Sequence, residues 1–393
     1  MKKINGFGIV LLCFLLIGNV SCSKKNGGAS NKSVKYATGL EMINVPGGEY
    51  ESPDYCWKIK NNADWDDRYE EYSESNKKSF SVKNFQIAKT ETTYETWYEV
   101  LKWGTDEARG DNRYRFVTVG NEGMADSKGT VPSTNKKHPV TSISWETAIV
   151  WCNALSEKAG FEPVYYLDGK ILRDEKKLRE IKSSANTYDN NETVYNTVSG
   201  LEKNTSYEKI NAAVLKEVPV YSRLTIEETK NGFRLPTVYE WIYAARGGKP
   251  DSFDWDLNYS GSDSASEVGW FREECGWSST ISDMNEYLPE YGTKEVGKKK
   301  ANSLGLYDMS GNVRELTNTL CFDIGKDAIA ASIYIRPYYA GGSWKNVADA
   351  SESKISITVT SWGEYSSVQV FDGCIDSLTN NTFGFRVART VTE

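Results

Sequence analysis

His138 is the only histidine in the chain. Serine–histidine–aspartate hydrolysis, cysteine–histidine catalysis and histidine-built metal centres all need an imidazole, usually several. His138 precedes Pro139 in a polar stretch and reads as a structural or solvated residue. The remaining soft groups are thiols. Cys56, Cys152, Cys275, Cys321 and Cys374 lie beyond the N-terminal region, with no Cys-x-x-Cys among them, which speaks against a zinc ribbon or thioredoxin-like site. Five is an odd number, so at least one of these thiols is unpaired.

The stretch from Gly341-Gly342-Ser343-Trp344 to Gly384-Phe385-Arg386-Val387 offers recognition instead of bond-making. Trp344, Asn346, Asp349, Ser351, Trp362, Tyr365, Phe371 and Asp372 are the candidate ligand contacts. They mix charged, amide and aromatic groups without a nucleophile–base pair, which is the composition of a binding surface. The same rings permit a second reading, in which Trp362 and Phe371 fill the core. Ile355, Ile357 and Val359 alternate as a strand does, so part of the segment is scaffold.

The N-terminus has the layout of a bacterial lipoprotein signal. Lys2 and Lys3 precede an apolar run from Ile9 to Ile17, too short to span a bilayer, and Ser21-Cys22 follows. Residues 1–21 read as the signal peptide, Cys22 as the lipidated residue, and 22–37 as a flexible tether. An ordinary secretory signal is the alternative. The net charge of −7 and the lack of a basic run argue against a nucleic-acid partner.

Three helices must position the candidate surface. Thr92 and Glu95 have capping-box spacing ahead of Tyr94, Trp97, Tyr98 and Leu101, with Gly104 as a stop. Ser144 caps a stripe of Trp145, Ala148, Ile149, Cys152, Leu155 and Ala159 that ends at Gly160, and Cys152 there reads as a buried thiol. Thr237 and Glu240 repeat the box before Trp241, Ala244 and Ala245. Met42–Val45 and Ser79–Ala88 read as strands. Residues 165–230 are polar and read as an insertion with partly ordered loops; beyond 250 short strands and turns dominate.

These pieces occur in a telling order. Met42-Ile43-Asn44-Val45-Pro46-Gly47-Gly48, Ser144-Trp145-Glu146-Thr147-Ala148 with Trp151-Cys152-Asn153, and Gly232-Phe233-Arg234-Leu235-Pro236-Thr237 come first. Gly305-Leu306-Tyr307-Asp308-Met309-Ser310-Gly311-Asn312-Val313 with Glu315 and the two glycine motifs at 341 and 384 follow. The series resembles the sulfatase-modifying-factor family, the formylglycine-generating-enzyme-like domains, over about 40–390. The resemblance implies a single α+β, loop-rich domain of the C-type-lectin type, here 38–393.

The family's enzymes oxidise a substrate cysteine with copper held by two cysteines just after the Gly-Gly-Ser-aromatic motif. Those positions are Asn346 and Ser351 here, and neither is a thiolate for Cu(I), so no copper and no catalysis are expected. The family's calcium pattern maps onto Asn312 and Glu315. The other reading pairs Glu315 with a core arginine such as Arg386 and puts Asn312 in a left-handed turn.

What remains is a lipid-anchored protein of the cell envelope, at the outer membrane or cell surface, with a protein or glycan ligand. The resemblance extends to relatives whose C-terminal loop is diversified by retroelements. It extends equally to fixed structural lipoproteins of secretion and motility machinery. A sulfatase-modifying oxidase is the least favoured alternative.

Overall fold

The first strand lies inside the expected tether. In the computed structural model, β1 (Ser33–Lys35) pairs antiparallel with β2 (Glu41–Val45). Tyr36 fastens this end: its hydroxyl donates to Gln86 Oε1 at 2.6 Å and its ring meets Phe161 and Phe233 edge-on. The structure describes residues 33–36, 38–53, 58–59, 69–70, 77–184, 213, 222–275, 291–324, 333–346, 348 and 381–391, all within one compact unit, Asn31–Glu393. Among them no helix is long and apolar enough to cross a membrane.

The stretch Ser79–Ala88 is two strands. After β3 (Gly48–Pro53), β4 (Lys77–Val82) pairs back onto β3, and β5 (Phe85–Ala88) joins β2. All four β5 residues are buried, so the expected alternation vanishes there. The reason is position: Ala88 packs into one hydrophobic cluster, Phe85 and Ile87 into another, one on each face of the sheet.

The first helix, α1 (Tyr94–Thr105), starts one residue later than its expected cap. Thr93 Oγ1 accepts from the Thr96 amide at 3.3 Å. Thr92 is instead part of the loop lattice, donating its amide to the Phe385 carbonyl and accepting from Val140. Gly104 lies inside the helix, against Tyr114, and does not stop it. In α2 (Trp145–Lys158) Ser144 caps as expected, and every residue from Trp145 to Ser156 is buried. Trp151 stacks on Trp97 at 5.3 Å and 8°, and Phe385 meets Trp151 edge-on at 5.3 Å. Such ring pairs add about 0.5–1.5 kcal/mol each beyond their buried area.

The described part of 165–230 belongs to the fold. It forms β6 (Tyr165–Leu167), β7 (Lys170–Ile171), α3 (Glu175–Ser184) and β8 (Leu224–Ile226), and the three strands make one small sheet. Buried Asn153 ties this sheet to α2. Its Nδ2 donates to the Tyr165 and Leu172 carbonyls, and its Oδ1 accepts from the Val164 and Tyr165 amides. A fully bonded buried amide is stable; an unbonded one would not be.

Next come β9 (Phe233–Arg234) and α4 (Val238–Ala245), whose Thr237–Glu240 capping box is formed in both directions. Arg234 adds two 2.7 Å bonds to Glu240. The hairpin β10 (Arg314–Ile324) and β11 (Ile333–Ala340) follows. Then β12 (Phe383–Gly384) runs parallel to the start of β10, and β13 (Ala388–Thr390) enters the main sheet between β5 and β9. The result is α+β and loop-rich, with short strands in small sheets, as expected.

Candidate functional site

Both ends of the 345–380 segment are fixed to a buried charged hub. Arg386 and Glu315 are fully buried and joined by two 2.6 Å bonds, with the Trp241 indole N–H donating to Glu315 at 2.8 Å. Arg386 also donates to the Ala88 and Tyr307 carbonyls, so one guanidinium joins β5, the 301–312 loop and β10. Burial opposes its charge, but Glu315 outweighs burial and its pKa is raised.

Two further buried carboxylates face this pair. Glu91 accepts from the Val313 amide at 3.0 Å and from Asn312 Nδ2 at 2.6 Å. Asp308 Oδ2 accepts from the Gly297 amide at 2.6 Å, while its Oδ1 is buried without a hydrogen-bond partner. Burial, then the neighbouring Asp308 and Glu315 charges, hold Glu91 well above the usual carboxylate range. Burial pushes Asp308 up to about 6. Arg386 lowers both, but its charge is already engaged by Glu315 and does not offset burial, which favours the protonated form.

The geometry at Asn312 and Glu315 is that of the arginine-pair reading. Asn312 has φ 57, in the left-handed region, and its Oδ1 accepts from the Lys294 amide at 2.9 Å. Glu315 has both oxygens on Arg386. A calcium ion there would have to compete with a buried guanidinium for its main ligand. Among the described residues no group of three or more acidic, cysteine or histidine side chains converges on a metal-sized site. The two residues named for calcium do not fit the ion in this arrangement.

The frame of the segment is built on this hub. Gly341 has φ 93, and a Cβ there would sit 3.2 Å from the Met309 carbonyl oxygen and 3.3 Å from the Trp241 ring. Only glycine turns the chain in that space. Trp344 follows, and it is a frame residue where a ligand contact was expected. It is 2% exposed, donates its indole N–H to the Asn381 carbonyl at 2.9 Å and meets Tyr291 edge-on at 4.8 Å. That bond closes the two ends of the segment on each other.

Asn346 is half-buried and clamps the turn. Its Oδ1 accepts from the Ser343 amide at 2.8 Å and from the Ser343 hydroxyl at 2.9 Å. Its carbonyl accepts from the Arg272 amide, and the Tyr259 hydroxyl donates to Ala348 O at 2.6 Å. Tyr291, Arg272 and Tyr259 border the candidate surface although no motif pointed to them. Asp349, Ser351, Trp362, Tyr365, Phe371 and Asp372 lie outside the described residues, as does Cys22.

His138 Nδ1 lies 3.0 Å from Thr293 Oγ1, and burial lowers its pKa, as for a structural histidine. Cys152 and Cys275 are free and buried. Burial pushes the Cys275 thiol up to about 12 and the Cys152 thiol higher still, so neither is a ready thiolate.

A family model, the sulfatase-modifying factor enzyme 1-like domain, matches residues 29–391. The chain is 32% identical over 249 residues to the chaperone protein LppX of Paenibacillus barcinonensis, 61% of this chain and 66% of the relative. It is 39% identical over 89 residues to the formylglycine-generating enzyme of Mycobacterium tuberculosis, 22% of this chain and 27% of that enzyme. The matches thus span less than two thirds of these relatives. Among solved structures, CarF shares the fold with a TM-score of 0.52 at 22% identity, covering 89% of this chain and 98% of that one. With the family model spanning nearly its whole length, and with the C-type-lectin-like, loop-rich architecture the family implies, the chain belongs to the sulfatase-modifying factor enzyme 1-like domain family.

Proposed function

We propose that this chain is a non-catalytic, lipid-anchored binding protein of the bacterial cell envelope. The segment from 345 to 380, carried on the Trp344–Asn381 closure, contacts an extracellular or envelope partner. The observation that carries this reading is position 346. Where the copper chemistry calls for a soft thiolate, this chain has an amide whose oxygen is spent on Ser343. The kinship with a protein named a chaperone, over 61% of this chain, favours a protein partner over a glycan.

A photo-crosslinking residue at Lys345, exposed at the edge of the frame, tests the reading in intact cells. The same residue at Phe253, 78% exposed on another loop, is the control. Adducts to an envelope component from position 345 alone support the proposal. Identical adducts from both positions, or none from 345, overturn it. Sequencing the 3′ end of the gene from many clones separates the two versions. Substitutions confined to codons 345–383 mark a diversified binder, and an unchanging segment marks a fixed partner.

A further inference from the structure

The chain is negative overall, yet one rim is lined with lysines. The Val296 amide donates to the Lys137 carbonyl, which brings the 294–300 segment beside Lys136 and Lys137. Lys136, Lys137, Lys298 and Lys300 are each more than half exposed. Lys299 reaches the Ser266 carbonyl at 2.6 Å and lies 4.1 Å from the centre of the Trp270 ring. The rim continues to the N-terminal strand. A Cβ on Gly297 would touch Thr90, next to Lys89; Lys89 pairs with Glu41, and Glu41 lies opposite Lys35 on β1.

The rim carries a charge surplus. Glu41, Glu95, Glu267 and Glu295 are its acidic partners, at 3.1–3.8 Å. Glu295 serves both Lys137 and Lys298, so the lysines outnumber the carboxylates. Pairs this exposed are weak and exchange readily for other anions. The segment between Cys22 and β1 adds Lys24, Lys25 and Lys32 with no acidic residue. Fully extended, the residues from Cys22 to Ser33 reach about 40 Å. A lipid at Cys22 would therefore let this rim reach a bilayer surface.

We infer that the lysine rim, Lys89, Lys136–Lys137 and Lys298–Lys300, docks on the anionic phospholipid headgroups of the membrane that holds Cys22. The inference rests on the anchoring proposed above. The rim would act as a polybasic signal beside the lipid, while the negative remainder of the chain is repelled from the same surface. A single lipid chain holds a protein only marginally, so a second, electrostatic contact has a clear role.

The test uses the full-length protein in vesicles of phosphatidylcholine alone or mixed with phosphatidylglycerol. Lysine acetylation is followed residue by residue by mass spectrometry. On the anionic vesicles Lys136, Lys137 and Lys298–Lys300 should be acetylated at least about fivefold more slowly, with the protection lost in high salt. Lys176 and Lys249, both well exposed, should be unaffected. Equal rates on both vesicles, or equal slowing of the controls, overturn the inference.

Vesicle flotation reads the anchor separately. An anchored chain floats with both vesicle types. A chain that is not anchored should float only with the anionic vesicles, and K298E/K299E/K300E should weaken that by about tenfold or more. Flotation with neither vesicle overturns the inference, and so does protection conferred by an acidic protein but not by phosphatidylglycerol.

Discussion

Replacing Arg386 with methionine should cost far more than replacing Glu315 with glutamine, although the two form one ion pair. Both side chains are fully buried, and breaking a buried pair by removing one partner costs about 3–5 kcal/mol. The surroundings are not symmetric. Glu91, Asp308 and Glu315 share the single guanidinium of Arg386. Arg386→Met removes the one guanidinium these acids share, leaving the weaker pull of Lys299 on Asp308, and also takes donors from the Ala88 and Tyr307 carbonyls.

Glu315→Gln leaves Arg386 with two other carboxylates that can ionise in its place, and the glutamine oxygen can still accept from Trp241. Its cost should therefore be nearer the 1–3 kcal/mol of a damaged buried hydrogen bond. Urea unfolding at pH 7, followed by tryptophan fluorescence, measures both. At about 2 °C per kcal/mol for a chain of this size, Arg386→Met should lower the melting temperature by roughly 5–10 °C. Equal costs, or a larger cost for Glu315→Gln, would refute the idea of one guanidinium serving three acids.

Three other outcomes follow from the same geometry. Asp308 has its pKa raised from 3.8 to about 6 and Glu91 is raised as well, so both bind protons more tightly when folded. Their contribution to stability is present below the unfolded values and lost as pH rises through the folded ones. Unfolding midpoints should therefore fall on this account from pH 4 to beyond pH 6, and Asp308→Asn should flatten the slope. Calcium should not raise the melting temperature over that in EDTA; a shift of several degrees that Glu315→Gln abolishes would restore the calcium reading. Gly341→Ala should destabilise by about 1–3 kcal/mol in urea unfolding, because a left-handed φ and the Met309 and Trp241 contacts both oppose a side chain.

Much of the scaffold was legible because its signals are local. The spacing of Trp145, Ala148, Ile149 and Cys152 marks a helix, and Thr237 with Glu240 marks its cap, since both depend on residues within a turn or two. The hub was only partly legible. Glu315 with Arg386 stood as one of two readings, but Glu91 meets Asn312 across 221 residues, and no spacing rule spans that distance. Thr92 looked like a cap because its side chain suits one, yet its backbone is held by Phe385 and Val140 and the helix starts after Thr93. Trp344 looked like a contact residue because tryptophan suits both roles; only the Asn381 carbonyl and the Tyr291 ring show that it closes the frame. The residues of β1 looked like tether because the polar stretch Ser23–Lys35 offers little to bury, and pairing with β2 decides their state.

On the proposed reading, Asn346 is a structural clamp at the position where the family's copper chemistry needs a thiolate. That reading is tested most directly by incubating the protein with Cu(I), oxygen and a cysteine peptide and following the peptide by mass spectrometry. No conversion of the cysteine to an aldehyde beyond that given by Asn346→Ala, and no tight copper binding, is expected. Copper-dependent turnover of the peptide thiol that Asn346→Ala abolishes would contradict it.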